Sequence, residues 1–149
     1  MLPADVASAE IDPPTGPLEV KLAISTDAAK TAFKKAATEF LRGKKTSVLV
    51  DYMTARLQAT DNLQRLIDTT DFPYCTLIGA KALIDENNKQ FAGLYLGTLT
   101  ADETRTVIED AEAIILSAVA FTDTNTVGFS HKVDMHKAIN LGADSAPIG

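Results

Sequence analysis

Apolar positions along the chain follow two different spacings. Ala29, Phe33, Ala36, Ala37, Phe40 and Leu41 recur at helical intervals, with lysines between them and Gly43 just beyond. From Ser25-Thr26-Asp27 onward this spacing predicts one amphipathic helix over about 26–42. Thr46-Ser47-Val48-Leu49-Val50 then breaks the repeat. It is a short β-branched run of the kind that becomes a buried parallel strand, and Asp51 stands at its carboxyl end. Leu57, Leu63, Leu66 and Ile67 restore the helical period to about Thr69, and Pro73 ends it before a second strand, Tyr74-Cys75-Thr76-Leu77-Ile78. A short strand is expected around Gly93-Leu94-Tyr95-Leu96, and a helix over 101–110 with Thr100 as its cap. An apolar strand over 113–119 and a last one over Lys137-Ala138-Ile139-Asn140-Leu141 complete the pattern.

Strand–helix–strand alternation with short connections argues for an α/β fold in three layers. The expected core is a parallel, Rossmann-like sheet of about five or six strands, with helices on both faces reached by right-handed crossovers. Ligands on such sheets bind beyond the strand carboxyl ends, which here carry Asp51, Gly79, Gly97 and a polar loop over 121–129. The first 25 residues differ in kind. They hold four of the six prolines, which fix φ and remove donors, so 1–25 reads as a Pro-rich linker and 26–149 as the domain.

Composition narrows the function classes. The 149 residues suffice for one domain, and 46% hydrophobic with 23% charged residues is ordinary globular composition. A net charge of −6 with 14 scattered basic residues works against nucleic-acid binding, which needs a concentrated positive stripe. No stretch approaches the roughly 18 apolar residues of a membrane span. Cys75 is the sole cysteine and no apolar run follows basic residues at the start, so the cytoplasm is the expected compartment.

Several groups invite a chemical reading. Thr122-Asp123-Thr124-Asn125-Thr126 and the following Val127-Gly128-Phe129-Ser130-His131 set hydroxyl and amide side chains behind a buried strand, a placement suited to a small polar ligand. The plainer reading is that these side chains bond their own backbone and shape the turn. Lys81 follows a strand end and is placed to meet an anion, and Asp85-Glu86 pairs two carboxylates, although solvated surface charge accounts for both. Neither Gly-x-Gly-x-x-Gly nor Gly-x-x-x-x-Gly-Lys-Ser/Thr occurs, and His131, His136 and Cys75 have no zinc spacing, so no metal ligands and no catalytic residue are assigned. Within an apolar strand Cys75 reads as a small hydrophobe.

Leu2-Pro3-Ala4-Asp5-Val6, Ile84-Asp85-Glu86, Phe91-Ala92-Gly93-Leu94-Tyr95-Leu96-Gly97-Thr98-Leu99 and the 121–131 loop, in this order and spacing, resemble the central domain of the thiamine-diphosphate-dependent decarboxylases of pyruvate, indolepyruvate and phenylpyruvate. The loop looks most like the indolepyruvate branch. The resemblance implies a carboxy-lyase parent that uses thiamine diphosphate and Mg²⁺. In that family the cofactor is held by a glutamate of an amino-terminal domain and by a Gly-Asp-Gly with a downstream Asn of a carboxyl-terminal domain. No Gly-Asp-Gly occurs here, so this chain is expected to be inactive alone and to bind no cofactor. Its implied partners are the missing amino- and carboxyl-terminal domains, in a homo-oligomer.

The resemblance also carries finer expectations. The 121–131 loop reaches toward the substrate cavity, where pyruvate-restricted relatives place an aromatic residue at the position of Thr124 and relatives acting on aromatic 2-oxo acids a small one. Family members often carry Gly-Lys-Gly where this chain has Ala80-Lys81-Ala82, and Asp51-Tyr52-Met53-Thr54-Ala55-Arg56 contains no regulatory cysteine. The family's domain continues past the counterpart of Leu141 with another strand and helix, so the chain reads as truncated at its carboxyl end, with an exposed sheet edge able to pair with another copy. Two other functions remain: a nucleotide-binding module, as FAD is bound by acetohydroxy-acid synthase and ADP by oxalyl-CoA decarboxylase, and an independent small-molecule sensor on the same fold.

Overall fold

In the computed structural model, which describes residues 4–16 and 25–149, β1 (Thr46–Val50) is the middle strand of a five-stranded sheet. β2 (Tyr74–Thr76) and β3 (Phe91–Leu94) lie to one side, β4 (Ala113–Ser117) and β5 (Ala138–Leu141) to the other, in the order β3-β2-β1-β4-β5. Every pairing is parallel. Successive side chains point to opposite faces, so Val48 and Val50 meet Leu63 and Ile67 of α4 (Thr60–Thr70), while Leu49 meets Ile108 of α5 (Asp102–Glu109). Burial on both faces is why β1 and β4 lack polar alternation. α2 (Asp27–Leu41) starts where the Thr26 hydroxyl accepts the Ala29 N–H at 3.2 Å, and it joins the α4 layer through the half-buried Leu41. The three-layer α/β architecture expected from the sequence is therefore the one observed.

Boundaries depart from the expectations for local reasons. The helical stretch after β1 is two helices, α3 (Met53–Arg56) and α4, because Gln58 turns left-handed at φ 55°. β2 stops at Thr76 ahead of a 3₁₀ turn over Ile78–Ala80, and β4 stops at Ser117 because Ala118 takes φ 50°. β3 begins two residues earlier than predicted. The β2–β3 register shifts between Tyr74 and Cys75, and Gly93, at φ 121°, lies against Thr104 of α5. Thr100 is not the cap of α5: its hydroxyl accepts the Leu96 N–H at 2.7 Å, and Ala101 precedes the helix without a side-chain cap. Lys137 ends a 3₁₀ turn and lies outside β5.

The outer edge of β5 is covered, against the expectation of an exposed one. Asn140 donates to Pro147 O at 3.0 Å and Gly149 to Ala138 O at 2.9 Å, around an antiparallel bridge between Ile139 and Ile148. Within the expected linker, Ala4–Ala7 forms one helical turn, α1, which the proline content gave no reason to predict, while positions 17–24 lie outside the described residues.

One core position is suboptimal. Thr76 is 0% exposed and its hydroxyl has no hydrogen-bond partner among the described residues. Thr76→Val keeps the branched shape and removes the unsatisfied group, so it is expected to stabilise the chain by about 1 kcal/mol. A lower urea midpoint for the variant would show that the hydroxyl is satisfied in solution.

Candidate functional site

The connection from β1 leads toward β2, while β4 pairs on the other side of β1, so the sheet's switch point lies between the carboxyl ends of β1 and β4. Asp51, 1% exposed, binds the two departing loops together there by accepting from Tyr52 N at 2.7 Å and Ala120 N at 3.1 Å. Thr54 donates to Ser117 O at 2.9 Å and anchors α3 to β4. On the α4 side a cleft of about 810 Å³ opens, with Leu57, Leu63, Leu66 and Leu141 as apolar wall and Arg56 and Asn62 as polar lining. Gln58 and Ala118 also line it, and their left-handed backbones mark it as a place where the fold holds strain.

The polar loop singled out in the sequence is not in that cleft. Phe121 and Val133, at its two ends, pack on the α5 layer, on the opposite face of the sheet. Its side chains bond mainly to the loop itself. Asn125 Oδ1 accepts from Thr122 N at 2.8 Å, Thr122 Oγ1 accepts from Asn125 N at 3.2 Å, and Asn125 Nδ2 donates to Ala120 O at 2.8 Å. Asn125 and Thr126 are buried, with Thr126 bonded back to Thr122 O. Thr124, just before them, is exposed, and among the described residues its side chain bonds to the equally exposed Asp123.

The remaining candidates fall apart in space. Lys81 sits in an exposed turn with its ammonium 3.0 Å from Glu86, so an anion there competes with a carboxylate already in place. The Ala82 N–H and then Lys81 hold the Glu86 carboxyl below its ordinary range. Asp85 and Glu86 do not act as a pair, since Asp85 instead accepts from Asn87 N at 2.9 Å. Cys75 is 0% exposed and burial alone pushes its thiol up to about 12, leaving no thiolate for chemistry at neutral pH. Sequence reasoning missed Arg56 and Asn62, because nothing in helical spacing tells a cleft-facing polar residue from a solvated one.

His131 closes the base of the loop by stacking on Phe121, with ring centroids 4.0 Å apart at 12°. Its Nδ1 is buried without a partner among the described residues, and burial holds its pKa below the ordinary 6.5 against the opposing pull of Glu109. The unfolded chain therefore binds the proton more readily. Stability from this group is fully present above about pH 6.5 and is lost as pH falls through the lower folded-state value. Melting followed from pH 7.5 to 5.5 is expected to show this loss, and His131→Phe, which keeps the stack, to flatten it. An unchanged profile in the variant would assign the acid sensitivity elsewhere.

Comparison with known proteins agrees with this architecture. A family model described as the central domain of thiamine pyrophosphate enzymes matches residues 33–149. Over 142 residues, 95% of its length, the chain is 34% identical to alpha-keto-acid decarboxylases of Mycobacterium tuberculosis and Mycobacterium bovis, and 33% identical to that of Mycobacterium leprae. In each case the matched part is 25% of the relative's own length. With a parallel five-stranded sheet in three layers and a family match over most of its residues, this chain belongs to the central-domain family of thiamine pyrophosphate enzymes.

Proposed function

We propose that the chain is the pocket-completing central domain of a thiamine-diphosphate-dependent 2-oxo-acid decarboxylase whose substrates are bulky, such as indolepyruvate or phenylpyruvate. The observation that carries this reading is the loop at the carboxyl end of the sheet in a family member whose relatives are named alpha-keto-acid decarboxylases. It exposes the short run Thr122-Asp123-Thr124, braced by the buried Asn125-Thr126 and by the mutual Thr122–Asn125 bonds, with Thr124 as its small residue next to the buried pair. A braced segment that exposes short side chains is suited to forming a cavity wall. The relatives' names favour this reading over a nucleotide-binding module.

The chemistry lies outside this chain. Among the described residues no three His, Cys, Asp or Glu side chains come together to hold a metal ion, and Gly-Asp-Gly is absent, so the residues present do not fit thiamine diphosphate with its Mg²⁺. In the parent, the cofactor bound by other domains supplies the electron sink for decarboxylation, and this domain contributes shape and exclusion of water. The parent is a homo-oligomer of the cytoplasm in this reading. Among the described residues no helix is long and apolar enough to cross a membrane.

Thr124→Phe in the parent enzyme tests it. The aromatic ring fills the space left by threonine, so kcat/KM for indolepyruvate should fall roughly tenfold or more, with pyruvate changed much less. Equal decarboxylation of both substrates by variant and wild type would overturn the reading.

A further inference from the structure

Beside the backbone bonds within the loop, Gly128 N to Asp123 O at 2.7 Å and Ser130 N to Thr126 O at 3.0 Å, one hydroxyl ties the 122–126 segment to the turn after β3. Ser130 Oγ donates to Thr126 O at 2.6 Å, accepts from Thr98 N at 3.0 Å and lies 3.1 Å from Thr98 Oγ1. A serine hydroxyl has one proton and two lone pairs. With its proton spent on Thr126 O, the Thr98 hydroxyl must be the donor, and all of Ser130's capacity is used. The contact joins residues 32 apart in sequence: the turn after β3 and the far end of the loop.

Gly97 makes this approach feasible. Its φ is +60°, and a Cβ there would collide with the Ser130 hydroxyl and would sit 2.6 Å from Thr126 O and 3.2 Å from His131 N. Thr126 in turn holds Thr122, since Thr126 N donates to Thr122 O at 3.2 Å. Whatever moves Thr126 therefore moves both ends of the short stretch that carries Thr124. Two further contacts, the Phe121–His131 stack and the Lys132 N–H donating to the Tyr95 hydroxyl at 3.3 Å, close the base of the loop without touching that stretch.

We propose that Ser130 is a positioning residue: by clamping Thr126 against Gly97-Thr98 it fixes where Thr124 is presented, and so sets how large a 2-oxo acid the parent's pocket accepts. This rests on the reading of the 122–126 segment as pocket wall. Ser130→Ala removes the side-chain bridge to Thr98 with little change in volume while leaving the Ser130 N–H on Thr126 O, and Ser130→Thr keeps the hydroxyl.

Two measurements test the proposal, with Thr124→Phe as the parallel control. In the 149-residue chain, the backbone amide resonances of residues 122–127 are expected to shift in Ser130→Ala and to return toward wild type in Ser130→Thr. In the parent, Ser130→Ala is expected to change the ratio of KM for indolepyruvate to KM for pyruvate by about fivefold, the scale set by one lost hydrogen bond, with kcat nearly constant and Ser130→Thr restoring the ratio. Unmoved amides in Ser130→Ala overturn the clamp. Moved amides with an unchanged KM ratio, while Thr124→Phe alters substrate preference, overturn the specificity role alone. If Thr124→Phe also has no effect, the pocket-wall reading itself fails, and the size-setting role with it.

Discussion

Gly97→Ala is expected to destabilise the chain by about 3 kcal/mol. A left-handed alanine costs about 1–2 kcal/mol on its own, and forcing a methyl into occupied space adds about 1–3 kcal/mol. The obstacles at Gly97 include backbone, Thr126 O at 2.6 Å and His131 N at 3.2 Å, which have no rotamer to escape into. In a chain of this size the melting temperature should fall by roughly 10 °C. Gly128 is the internal control. It is also left-handed, at φ +71°, but none of the described residues lies within 4 Å of a Cβ there, so Gly128→Ala should show only the conformational part of about 1 kcal/mol. Equal losses in the two variants would mean that the approach of the loop to Gly97 is looser than the distances describe.

Asp51→Ala is expected to cost about 2–3 kcal/mol, read from the urea midpoint at constant slope. The carboxylate accepts two backbone N–H bonds, one from the next residue, Tyr52, and one from Ala120, 69 residues on, and hydrogen bonds to a charged acceptor are worth about 1.5–3 kcal/mol each when intact. Partial solvation of the two freed N–H groups, both in otherwise exposed residues, reduces the total. Asp51→Asn should lie between wild type and alanine, because one amide oxygen replaces one acceptor while the new NH₂ faces a donor. An asparagine variant as stable as wild type would show that only one of the two bonds matters. Asp51 joins the ends of β1 and the post-β4 segment, so its loss should loosen the cleft and the start of the 121–131 loop together.

The fold layers were legible because burial leaves a mark on composition. Val48, Leu49 and Val50 are apolar in succession since each face of β1 meets a helix, and Leu63 and Ile67 repeat at helical spacing since one side of α4 meets the sheet. Thr26 was readable as a boundary because a hydroxyl three residues ahead of an N–H satisfies that donor locally. Thr100 carries the same local signature and was misread, because its hydroxyl turns back to Leu96 N to close the preceding turn. The polar character of 121–131 was equally plain, and so was the competition between ligand recognition and self-bonding. Which one Asn125 and Thr122 serve depends on coordinates, since the same groups do both.

By itself, then, the sequence determined the parallel α/β architecture, the approximate elements and the family, because these rest on residue periodicity and segment order. The tertiary structure alone decided where the elements stop and what the loop touches. Gln58 and Ala118 turn left-handed without being glycine, where the Thr54–Ser117 contact joins the segments that carry them. β3 slides two residues toward the start of the chain where Gly93 meets Thr104. Ser130 finds Thr98 across the end of the sheet, a contact with no trace in local spacing. In each case the deciding energy comes from a long-range contact, and short-range propensity carries no record of a partner tens of residues away.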